Sequence, residues 1–104
     1  MTNEDRERAE RELRTAAGNF IAALRLARGV DEVAFSRLKE AIIGLGDAWQ
    51  VEDHLPKSAV NILVGLFSWI DSASHLYEGD DSMAIKQAAM DVETLIFQHV
   101  VPAP

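Results

Sequence analysis

Asp71, His75 and Glu78 are the side chains whose types and spacing offer chemistry in this sequence. On a helix, positions i, i+4 and i+7 share one face, which sets a carboxylate, an imidazole and a second carboxylate in a row. Such a row binds a metal ion when another helix adds a ligand, and Glu93 or Asp91 is the candidate for that role. The plainer reading is a solvated polar face. Ser68, Ser72 and Ser74 crowd the same stretch, and no Glu-x-x-His pair recurs on two helices as a di-iron bundle requires.

Ser72, His75 and Asp71 also match the residue types of a hydrolase triad. Three neighbours on one helix cannot converge as a triad must, and there is no G-x-S-x-G turn or phosphate-binding glycine loop. The 104 residues include no Cys, which removes disulfides, thiolate metal sites, iron–sulfur clusters and thiol catalysis. The reading therefore leans away from an enzyme and assigns no catalytic residue and no cofactor. The set Asp71, His75, Glu78 and Glu93 stands as a metal-binding alternative.

These side chains depend on helices for their placement. The apolar spacing predicts an all-α, single-domain, antiparallel four-helix bundle, with helices over about 3–28, 31–50, 55–78 and 81–100. The first helix opens with Thr2 and Asp5 as a variant capping box. Glu4–Arg8, Glu7–Arg11 and Glu10–Arg14 are i,i+4 pairs in the favourable order. Its apolar seam starts only at Leu13 and runs through Ala17, Phe20, Leu24 and Ala27. Residues 1–12 therefore read as a charged helical extension. Gly29 is expected at the C′ position, and Asp31 is expected to cap the next helix, with Val30 and Phe35 as a hydrophobic staple.

The second helix carries Phe35, Leu38, Ile42, Leu45 and Trp49. Gly44 and Gly46 leave two options open: close helix packing, or a break. An acidic loop (Glu52, Asp53) and His54 lead to Pro56, which suits the first helical turn.

The third helix carries two apolar stripes: Ala59, Ile62, Leu66, Trp69, Ala73 and Leu76, and Val60, Leu63, Phe67, Ile70 and Tyr77. It is expected to be the most buried. Gly79 should end it, and Asp80 or Asp81 should cap the fourth helix. That last helix has the seam Ile85, Ala89, Val92, Ile96 and His99, with His99 read as a core or boundary residue. Residues 101–104 read as a loose tail.

Charge is unevenly spread. Lys and Arg total 10 against 17 Asp and Glu, for a net charge of −7. Residues 1–40 hold eight basic and eight acidic side chains. Residues 41–104 hold only Lys57 and Lys86 against nine acidic ones. An acidic chain is a poor phosphate-backbone binder, so no nucleic-acid partner is expected. The longest apolar run, Ala59 to Ile70, is too short to cross a bilayer, and the charged start is unlike a signal peptide. These features fit a cytoplasmic protein, and the preference for Arg over Lys with frequent Ala fits a GC-rich bacterial source.

The function expected is a small acidic protein-binding module, a regulator, inhibitor or immunity-type protein. Its partner would be basic, steered by Asp71, Glu78, Asp80, Asp81, Asp91 and Glu93, with Trp69 and Tyr77 as anchors. In size, class and charge the chain is similar to the acidic four-helix immunity proteins that block basic nuclease toxins, an analogy without a shared motif. The alternative is a structural homodimer joined through Val60, Leu63, Phe67 and Ile70 of the third helix.

Overall fold

The computed structural model describes residues 3–50 and 54–101. The Thr2 cap, the acidic pair Glu52 and Asp53, and the tail beyond Val101 lie outside the described residues. Four α-helices account for the architecture: α1 (Asn3–Arg25), α2 (Glu32–Ala48), α3 (Lys57–Ala73) and α4 (Gly79–Leu95). A 3₁₀ turn (Ser74–Leu76) follows α3, and a π-helical turn (Ile96–Val100) extends α4. There is no strand among the described residues, and no helix among them is long and apolar enough to cross a membrane.

The helices form an up-down-up-down bundle in which α1 neighbours α2 and α3, and α4 completes the square. The α1/α2 pair is antiparallel. Phe20 stacks on Phe35 with ring centroids 5.1 Å apart, and near the other end Arg6 Nε donates to the Ala48 carbonyl at 3.3 Å. In contrast, α1 and α3 run parallel: Ser58 Oγ donates to Glu10 Oε1 at one end, and Tyr77 reaches Leu24 at the other. The bundle is 20 Å thick in its short direction, about two helix diameters, so every helix keeps one side on solvent.

The core is the set that the apolar spacing points to in α1 and α2. Leu13, Ala17, Phe20 and Leu24 meet Phe35, Leu38, Ile42 and Leu45, all buried. The first turns of α1 are not a free extension. Ala9 is buried, and the Arg6 guanidinium lies 5.1 Å from the Trp49 ring centroid, a cation–π contact that seats the charged segment on α2. Glu10 pairs with Arg14 at 3.7 Å, whereas Arg8 pairs with Asp5 at 3.9 Å.

Four helix ends differ from expectation, one of them the end of α3, which stops at Ala73 and leaves Gly79 as the first residue of α4. Ala27, not Gly29, takes the left-handed C′ position of α1, with φ 58°. The Arg28 N–H reaches the Ala23 carbonyl and the Ala27 N–H reaches that of Leu24, the bond pattern of a Schellman motif. Gly29 also has positive φ, in the turn that follows. Asp31 caps α2 as expected, accepting from the Ala34 N–H at 3.0 Å. Pro56 stands at the N-cap of α3, one residue before its first turn. Glu78 is the N-cap of α4 without a side-chain bond, so Asp80 and Asp81 lie in the first turn rather than capping it.

Helix α2 continues through its glycines. A Cβ on Gly46 would collide with the backbone of His99, whereas one on Gly44 would meet open space. Gly46 is therefore the residue that lets the π-helical end of α4 cross α2. The π turn, closed by the Val101 N–H on the Ile96 carbonyl at 2.9 Å, shifts the register of α4. As a result His99 faces solvent instead of continuing the buried seam of Ile85, Ala89 and Val92.

Candidate interaction surface

Helix α3 is the most apolar of the four by sequence, yet it is not the most buried. Five of its residues (Ala59, Leu63, Leu66, Ile70 and Ala73) are buried, against eight in the longer α1 and seven in α2. The buried line runs between the two stripes that the sequence displays and takes members of both. With α1 on one side and α4 on the other, the outer half of each stripe is left at the surface. Thus Val60 and Trp69 are exposed, Ile62 and Phe67 are only partly covered, and Val64, which belongs to neither stripe, is exposed beside them.

On the α1 side, an open groove of about 720 Å³ is walled by Ile62 and Trp69 and by Ile21 and Leu26 of α1. Its floor includes Ala17 and Gly18, and Arg14 and Arg25 stand on its rim. Trp69 is 40% exposed. A Cβ on Gly65 would overlap the indole, so the ring lies flat on its own helix one turn back. Small residues on the floor and a fixed aromatic wall make this a seat for an apolar side chain.

On the α4 side, Val60, Val64 and Phe67 meet Glu93, Phe97 and Val101 across a second groove of about 280 Å³. Phe97 belongs to an exposed row, Met83, Met90 and Phe97, that repeats every seven residues along α4. The signal for this row was in the sequence as a spacing of seven, but it falls outside the helix's main apolar seam. Gly65, under Trp69, carries no such signal, because a small residue in a helix has no pattern of its own.

The expected site residues separate. Tyr77 is a structural clamp: its hydroxyl donates to the Leu24 carbonyl at 2.8 Å and accepts from the Gly29 N–H at 3.0 Å. That hydroxyl is satisfied internally and ties the end of α3 to the α1–α2 turn. Glu78, Asp80 and Asp81 are exposed together at the start of α4, near the end of α3 that carries Trp69. Asp80 and Asp81 there also favour the positive end of the α4 dipole. Asp91 accepts from Gln87 Nε2 at 2.9 Å. Glu93 lies about 18 Å further along α4 than Asp81, at 1.5 Å rise per residue, and belongs to the second groove. Asp71 is half-buried on α3.

The arrangement expected for a metal does not form. Helix α3 ends at Ala73, and Tyr77 and Glu78 are extended, with φ of −125° and −127°. Asp71, His75 and Glu78 therefore do not share a helical face. The α3 cap explains the break: Ser74, fully buried, donates its hydroxyl to the Asp71 carbonyl at 2.5 Å, tightening the chain into the 3₁₀ turn. Among the described residues no three His, Asp or Glu side chains gather closely enough to hold an ion.

The chain matches no family model, and no curated protein and no solved structure shows a detectable similarity to it.

Proposed function

We propose that this chain is a small protein-binding module, a regulator or inhibitor of the immunity type, that acts by holding a basic protein partner rather than by transforming a substrate. The observation that carries the reading is Trp69. A large aromatic side chain is pinned on Gly65, left 40% exposed, and set at the mouth of an apolar groove. Aromatic anchors in such settings supply a large share of interface energy. Glu78, Asp80 and Asp81, exposed at the same end of the bundle, would steer a basic surface toward it. Of the two arginines on the groove's rim, Arg14 is offset by Glu10, which leaves Arg25 as the rim cation that a basic partner must avoid.

The test is affinity capture with the intact chain, with Trp69→Ala, and with the double variant Asp80→Asn, Asp81→Asn, followed by kinetics on the captured protein. The expected result is one basic protein, released by Trp69→Ala, with an association rate that falls as salt rises and falls again in the double Asn variant. Capture indifferent to both variants, or an association rate unchanged by salt, would remove the proposal.

A further inference from the structure

The α4-side flank of α3 has a charge arrangement that its own bundle does not use. Val64, in the middle of α3, is 73% exposed, the highest value among the large apolar side chains of the described residues. Lys57 lies seven residues before it and Asp71 seven residues after. Two helical turns separate each from Val64, so the three share one face. Between Lys57 and Asp71 the helix carries no charge at all, in a chain where 26% of residues are charged. Around Val64 this face presents Val60, Asn61, Phe67 and Ser68.

Both charges sit at the wrong end of their own helix. A cation at a helix N-terminus and an anion in its last turns each oppose the macrodipole. Nor are they held there by a neighbour, since neither makes an ion pair among the described residues.

An antiparallel copy of α3 reverses both penalties. With a two-fold axis at Val64, Lys57 meets the partner's Asp71 and the negative end of the partner's helix, and Asp71 meets the partner's Lys57. A parallel copy would instead oppose like charges. We infer that α3 is the self-association element of this chain: two copies pair antiparallel across Val64, with Val60 and Phe67 in the contact and Lys57 bound to the partner's Asp71 at both ends. Phe97, Val101 and the exposed Glu93, which line the same groove, form its α4 edge beside the contact. Such an interface is isologous and closes at a dimer. It leaves the Trp69 groove on the opposite flank, so self-association does not depend on the function proposed above.

The test is sedimentation equilibrium of the full chain over a range of concentrations, with helicity checked by circular dichroism. Val64 and Lys57 are exposed, so substitutions there leave the bundle folded. The wild type should show a monomer–dimer equilibrium, and Val64→Glu, which places two carboxylates on the axis, should abolish it. Asp71→Lys should weaken the dimer by roughly tenfold, since two modest surface pairs turn repulsive. Adding Lys57→Asp to it should restore the dimer to within about threefold of wild type. Trp69→Ala should dimerise like the wild type while losing the captured partner, which separates the two readings. A wild-type chain that stays monomeric throughout overturns the inference. So does a dimer that survives Val64→Glu, or a charge swap that fails to restore what the single reversal removed.

Discussion

The two flanks of α3 come from one helix and have similar apolar content, but they differ in shape and in charge. Toward α1, the flank faces a parallel neighbour across a groove floored by small residues, with Trp69 at its mouth. It carries arginines on its rim and carboxylates beyond the end of α3, and its charges are not placed symmetrically about a residue of α3. Toward α4, the α3 side of the flank carries no charge between Lys57 and Asp71, which stand at equal spacing from Val64, and Glu93 faces it across the groove. A groove bordered by unrelated charges suits a different molecule, whereas a face with palindromic charges suits a copy of itself. The difference shows that surplus apolar surface on a helix is not one signal. The charges that bracket it decide what it recognises.

Each flank is also positioned by its own device, at opposite ends of the bundle, and this gives ways to break them separately. The largest effect is expected from Gly46→Ala. Its Cβ would meet the His99 backbone, which cannot rotate away as a side chain would, so α2 and the end of α4 must part. The expected loss is about 3 kcal/mol, the upper part of the range for overpacking, measured by urea denaturation. With it, Phe97 and Val101 should shift, and dimerisation should weaken while the Trp69 groove is unaffected.

Tyr77→Phe comes next and acts on the other flank. It strips one partner each from the Leu24 carbonyl and the Gly29 N–H, for an expected loss of about 1–2 kcal/mol. Fluorescence of Trp69, read in a Trp49→Phe background that removes the second indole, should change in this variant but not in Gly46→Ala. Gly65→Ala sharpens the comparison without much cost. The added methyl pushes the indole off its seat, while helix propensity improves by about 1 kcal/mol. Stability should stay near wild type, and partner capture should fall. The smallest effect is expected from Ala27→Gly, which relieves a left-handed residue at φ 58°. The strain removed, about 1 kcal/mol, is partly offset by the greater freedom of glycine in the unfolded chain. The net gain should be a few tenths of a kcal/mol in the same denaturation experiment.

Much of the scaffold was legible in the sequence because it is local. The α1 and α2 seams, the Asp31 cap and the helical class follow from spacing and helix-end chemistry within a few residues. What was not legible depends on partners far along the chain. Tyr77 reads as an anchor until Leu24, 53 positions away, takes its hydroxyl. Gly46 reads as a weak point until His99 crosses it. The expected burial of α3 failed because periodicity shows which faces are apolar, but not how many neighbours a helix has in a bundle two layers thick. Asp71, His75 and Glu78 shared a face only so long as α3 was taken to run past Ala73. The buried Ser74 bond that ends it is a single contact with no pattern to announce it. Trp69 was legible as surplus apolar surface, but its seat on Gly65 was not.

The most direct test of the account mixes two single variants, Lys57→Asp and Asp71→Lys, and weighs the mixture by sedimentation equilibrium. Each variant alone sets like charges against each other across the Val64 axis and should remain mostly monomeric. Mixed, every contact between the two different chains again pairs a lysine with an aspartate, so heterodimers should form at close to wild-type strength. A mixture that stays as monomeric as its components would contradict an antiparallel α3 pairing and the division of this helix into a self-binding and a partner-binding flank.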